Sequence, residues 1–107
     1  MTRTPRFTER VFTKWEREYC DAKGAAAAQS YAGRFAAKEA FLKALQTGWR
    51  GKITWHDIEI LSDDQGVPLL NISGEASTLF KNTGATRSHL SISHTSEHAV
   101  AQVIFEA

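Results

Sequence analysis

Cysteine is almost missing from this 107-residue chain: Cys20 stands alone, so no intrachain disulfide can form. Long apolar runs are missing too, and none reaches the length of a membrane-crossing helix. The first residues, Met1-Thr2-Arg3-Thr4-Pro5-Arg6, carry positive charge with no apolar stretch behind it, unlike a secretory signal. A cytoplasmic location without a membrane partner is the expectation. Net charge is small as well, at +1. Its distribution is uneven: residues 1–17 hold Arg3, Arg6, Arg10, Lys14 and Arg17 against Glu9 and Glu16. Such a segment is either a solvated helix end or a surface for an acidic partner. Aromatic residues are not interleaved with these cations as a base-stacking platform requires, so no nucleic-acid partner is expected.

What is present describes an ordinary globular domain, with 42% hydrophobic and 23% charged residues. The length suits one domain spanning residues 1–107. A chain this short buries a modest core, which leaves apolar surface available to an oligomer.

Residues 6–12 are amphipathic but short. Thr13 with Glu16 is a capping-box pattern, so a helix is expected from there to about Ala22, stopping near Gly24. Ala25 to about Gln46 is rich in helix formers and reads as the main helix, with Gly33 as a point of close packing. Alternation predicts strands over Trp55–Leu61, Val67–Ile72, Ser88–Ser93 and His98–Phe105. A turn falls at residues 62–66 and a short helix at Gly74–Gly84. Helices first and then mostly strands predict an α+β fold with a mainly antiparallel sheet.

The main helix has no broad polar face. Phe35, Phe41, Leu42 and Leu45 form one arc, and Ala36, Ala37, Ala40 and Ala44 another. Lys38 falls within the apolar arc, whereas Glu39 and Lys43 share the gap between the arcs. Glu39 and Lys43 are either a stabilising i,i+4 pair or a carboxylate and an ammonium aimed together at a metal-bearing anion. A second candidate site is Ser91-Ile92-Ser93-His94-Thr95, where a strand gives way to a turn. His56, His89 and His98 lack metal-ligand spacing and read as structural.

The segment Gly33-Arg34-Phe35-Ala36-Ala37-Lys38-Glu39-Ala40-Phe41-Leu42-Lys43-Ala44 resembles the signature of the holo-acyl-carrier-protein synthases, the small 4′-phosphopantetheinyl transferases. Ser91-Ile92-Ser93-His94-Thr95 resembles their second signature. Agreement runs from about Arg6 to Glu106 and includes Arg6-Phe7, Arg10-Val11-Phe12-Thr13, Asp57-Ile58-Glu59-Ile60 and Ala99-Val100-Ala101-Gln102-Val103-Ile104. The resemblance implies a 4′-phosphopantetheinyl transferase-like fold and an enzyme of fatty acid biosynthesis. Such enzymes move the 4′-phosphopantetheine arm of coenzyme A to a serine of an apo acyl carrier protein. They use Mg²⁺ and release adenosine 3′,5′-bisphosphate.

On that resemblance Glu39 is the metal ligand and a catalytic group, and Lys43 contacts the cofactor's phosphates. Lys38 is the signature lysine just before the metal-binding glutamate. Arg34, His94 and Thr95 line the coenzyme A site, Thr47 and Gly48 lie in the loop beside the phosphates, and Arg6 and Arg10 dock the carrier protein. A homotrimer with sites at subunit interfaces is implied as well. Two departures accompany the match. The family opens on a strand of the form Gly-Ile-Gly-x-Asp that carries a second metal ligand, and Met1 stands downstream of its place. The expectation is therefore a domain truncated at its N-terminus, either active or binding coenzyme A or carrier protein without turnover. Gln46 also replaces the glycine that usually precedes Thr47-Gly48.

Overall fold

Thr13 starts a helix as its spacing to Glu16 predicts. Its hydroxyl accepts the Glu16 N–H at 3.2 Å, and Glu16 Oε1 accepts the Thr13 N–H at 2.8 Å. Two otherwise orphaned donors are thereby satisfied. The structure, a computed structural model, describes residues 5–45, 52–95 and 97–107. The capped helix is α2, Lys14–Asp21, and the short amphipathic stretch before it is a helix too, α1, Pro5–Val11. A 3-10 turn over Gly24–Ala26 leads into the main helix, α3, Ala27–Leu45. The Thr13 hydroxyl also donates to Glu59 Oε2 at 2.6 Å. Thr13→Ala is expected to cost about 1 kcal/mol. The thermal midpoint should fall by about 4 °C; an unchanged midpoint would contradict the cap.

After α3 the chain forms two hairpins joined through a helix. β1 (Ile58–Ser62) pairs antiparallel with β2 (Pro68–Ile72), from Ile58↔Ile72 to Ser62↔Pro68. The helix α4 spans Gly74–Asn82. β3 (Arg87–His94) then pairs antiparallel with β4 (Ala99–Glu106), from Arg87↔Glu106 to His94↔Ala99. The α+β class is as expected. The single sheet is not: among the described residues there are two separate two-stranded sheets. Each hairpin closes through a short turn, but the path from β2 to β3 is diverted through α4.

The strand expected from Trp55 also needs correction. Trp55–Asp57 is a 3-10 turn, and the strand begins at Ile58. Asp57 is the cause: its carboxylate accepts the Thr54 N–H at 3.3 Å and the Thr54 hydroxyl at 3.1 Å. A local cap thus overrides an alternating pattern.

α3 runs through the middle of the molecule. Ala37, Phe41, Leu42 and Leu45 pack with Ile53, Ile58, Ile60 and Ala76 in one cluster. Tyr31 packs with Val11, Phe12 and Cys20 in another. Lys38, on the apolar arc, is fully buried with Glu16. Its Nζ lies 2.9 Å from Glu16 Oε1 and donates to the carbonyls of Trp55 (3.0 Å) and Ile58 (2.6 Å). Glu16 Oε2 accepts the Ile60 N–H at 2.8 Å. All three ammonium donors are used, and α2, α3 and β1 are joined at one point. Burial pushes the Lys38 pKa below its ordinary value, while Glu16 acts in the opposite direction. Glu39 and Lys43 are exposed, so the gap between the arcs is the open strip of the helix.

Candidate functional site

Arg34 is a buried cation without a carboxylate partner among the described residues. Only 6% of its surface is exposed. Nε donates to the Ile60 carbonyl (3.2 Å), Nη1 to Ser30 Oγ (3.3 Å) and Nη2 to Ser62 Oγ (2.6 Å). Its guanidinium carbon lies 4.3 Å from the centre of the Tyr19 ring. Neutral acceptors and a π-face hold the group in place but leave its charge uncompensated, which is costly without an anion nearby.

A hollow beside the guanidinium has room for an anion. Arg34 lines a cavity of about 310 Å³ together with Tyr19, Lys23, Gly33, Ser62 and His94. Lys23 Nζ lies 4.5 Å from the centre of the same Tyr19 ring. The Ser62 hydroxyl beside the Tyr19 phenol lowers its pKa; burial opposes this, and Lys23 and Arg34 add to the lowering. No acidic side chain lines the cavity. Cations and hydroxyls facing one hollow form an anion site.

His94 reaches the cavity from the end of β3, and its imidazole lies against the backbone of α3 at Gly33. Thr95 follows in a tight turn: its N–H donates to the His98 carbonyl at 2.8 Å, and its Oγ1 accepts the His98 N–H at 3.0 Å. Gln29 Nε2 of α3 donates to the Thr95 carbonyl at 3.0 Å, tying the turn to the helix. Thr95 lines a second cavity of about 590 Å³ with Ala28, Ala32 and His98. Ala26 and Gln29 border both cavities, so the two adjoin. His98, read as structural in the sequence, lies at the second.

The structure thus brings Arg34 and His94 together, with Thr95 next door. Glu39 and Lys43 line neither cavity. They lie further along α3, exposed and one turn apart. No ion pair joins them among the described residues. Their two charges remain available to a ligand. The described residues contain no cluster of three His, Cys, Asp or Glu side chains able to hold a metal ion. A lone exposed carboxylate fits Mg²⁺ when substrate phosphates supply other oxygens.

Arg6 and Arg10 are exposed on α1. Arg10 borders an apolar groove of about 490 Å³ with Leu42, Thr54 and Trp55. The His56 Nε2–H donates to the Glu9 carbonyl at 2.7 Å, which anchors α1 beside that groove. Thr47 and Gly48 lie outside the described residues. Sequence reasoning missed Tyr19, Lys23 and Ser62 as site residues. Only proximity unites them, since they belong to α2, the turn after it and the end of β1.

A family model described as the 4′-phosphopantetheinyl transferase superfamily matches residues 1–103. A holo-[acyl-carrier-protein] synthase of Trichlorobacter lovleyi is 52% identical over 98 residues, which is 92% of this chain and 77% of that protein. One of Koribacter versatilis is 46% identical over 101 residues, 94% of this chain and 80% of that one. The crystal structure of the Neisseria meningitidis holo-[acyl-carrier-protein] synthase matches with a TM-score of 0.83 at 33% identity, covering 96% of this chain and 82% of that chain. The Helicobacter pylori enzyme of that name, solved in complex with coenzyme A, matches with a TM-score of 0.78 at 33% identity, covering 94% and 82%.

Proposed function

The chain belongs to the 4′-phosphopantetheinyl transferase superfamily, among its holo-acyl-carrier-protein synthases, and from that membership we propose that it transfers the 4′-phosphopantetheine arm of coenzyme A to a serine of an apo acyl carrier protein. The observation that carries this reading is Arg34, a buried, uncompensated cation facing a hollow with Lys23 and His94. Coenzyme A brings the phosphates such a hollow requires. The solved relative with coenzyme A bound supports the same choice of ligand.

In this reading Arg34 and His94 hold the nucleotide end, with Thr95 at the adjoining cavity. Thr47 and Gly48, outside the described residues, are assigned to cofactor binding on the family resemblance. Lys43 neutralises the pyrophosphate as a point charge. Glu39 would hold Mg²⁺ at the phosphates. When bound, that ion supplies charge neutralisation at the pyrophosphate. The serine Oγ forms a bond to the phosphorus that carries the pantetheine arm. The bond from that phosphorus to the bridging oxygen breaks, and adenosine 3′,5′-bisphosphate leaves with the oxygen. The serine proton passes to Glu39, directly or through one water. Little covalent help is needed, because positioning and charge stabilisation dominate phosphoryl chemistry.

Residues 1–107 act as one domain in this account, in the cytoplasm. Val67, Leu69, Val100 and Ile104 are large apolar side chains left exposed, and we assign them to contacts within a homotrimer. Arg6 and Arg10 meet the acidic carrier protein. Arg10→Glu is expected to raise the KM for carrier protein about tenfold at low salt with little change in kcat. Steady-state kinetics at two ionic strengths checks this, and an unchanged KM would remove Arg10 from the docking surface.

The function itself is tested by mass. With coenzyme A, Mg²⁺ and apo carrier protein, the carrier should gain the mass of the arm. No gain at high protein concentration, with coenzyme A still bound, would favour the second reading, a homologue that binds without turnover.

A further inference from the structure

Gly33 sits in the interior of α3, where glycine is less stable than alanine by about 1 kcal/mol. Its φ is not positive, so the backbone does not require glycine there. Elsewhere α3 carries alanine at its small positions, at Ala32, Ala36, Ala37 and Ala40. A reason for losing the last methyl must come from what would touch it. A Cβ at position 33 would stand 2.5 Å from His94 Nε2, 3.1 Å from His94 Cε1 and 3.1 Å from Ile92 Cγ2. The space of the missing methyl is filled by the imidazole. No hydrogen bond fixes that ring among the described residues, and His94 itself is exposed. Contact with the bare backbone of α3 is what holds it at the mouth of the Arg34 cavity.

We propose that Gly33 is a positioning residue, a seat cut into α3 that holds the His94 imidazole toward the same phosphate-bearing ligand as Arg34. Its place next to Arg34 in the chain gives the seat its use. One residue of the helix supplies the buried cation, and its neighbour clears room for the second nitrogen-bearing group. The helix gives up stability at Gly33 in exchange for geometry at the site. The ligand part of this inference rests on the coenzyme A reading above; the seat itself does not.

The test uses Gly33→Ala, His94→Ala and the double variant in the full chain. Gly33→Ala should shift the His94 ring-proton resonances in NMR spectra without coenzyme A, while the thermal midpoint stays level or rises. Coenzyme A affinity by calorimetry should fall about tenfold. In His94→Ala the added Gly33→Ala change should cost no further affinity, because the ring it displaces is gone. If Gly33→Ala unfolds the chain, the double variant should restore folding, since the clash is with His94. Unchanged ring resonances, full additivity of the two affinity losses, or unfolding that His94→Ala does not relieve would each overturn the seat. If the wild type binds no coenzyme A, the coenzyme A reading fails, and the ring resonances still decide whether the seat exists.

Discussion

Lys38→Met is expected to destabilise the fold by about 3–5 kcal/mol. Methionine replaces the apolar stem and ends one atom short of the Nζ position. It cannot neutralise Glu16, which is fully buried and loses its one ion-pair partner among the described residues. The carbonyls of Trp55 and Ile58 lose a donor at the same time. Urea unfolding should show a lower midpoint with an unchanged slope. Adding Glu16→Gln should recover a large part of the loss, because a neutral pair carries no stranded charge. If Lys38→Met unfolds at the wild-type midpoint, the buried pair is not the joint between α2, α3 and β1 described above.

Glu39→Gln is expected to show the opposite profile: a normal fold and a transfer rate reduced by about 10³-fold. Glu39 is exposed and unpaired among the described residues, so stability has no reason to change. The amide keeps the shape but removes the charge that would hold Mg²⁺ and the base that would take the serine proton. A continuous transfer assay beside a thermal melt separates the two effects. Transfer at the wild-type rate would exclude Glu39 from the chemistry.

The contrast between these neighbours shows what the sequence could and could not reveal. Helical periodicity put Lys38 on the apolar arc and Glu39 with Lys43 in the gap, and the structure buries the first and exposes the other two. The partner of Lys38 was not legible. Glu16 was recognised as half of a capping box, and nothing local shows that its carboxylate also reaches across to α3 and β1. The cap at Thr13 was legible because both halves lie within one turn. Asp57 misled for the same reason in reverse, since its short-range bonds to Thr54 overrode the alternation around Trp55.

The candidate site divides along the same line. Arg34, His94 and Thr95 stood in two readable segments. Tyr19, Lys23 and Ser62 did not, because only the packing of α2 against α3 and β1 brings them to the cavity. The single sheet expected from four strands became two hairpins, because α4 lies between them in the chain and alternation carries no information about which strands meet.

The proposed activity couples cleavage of coenzyme A to modification of a carrier protein. The most direct measurement is the initial rate of adenosine 3′,5′-bisphosphate release from coenzyme A, with and without apo acyl carrier protein, across a Mg²⁺ titration. Release should require both the carrier and Mg²⁺, saturate in each, and match the arm appearing on the carrier mole for mole. Release without carrier protein, or at the same rate without Mg²⁺, would contradict it.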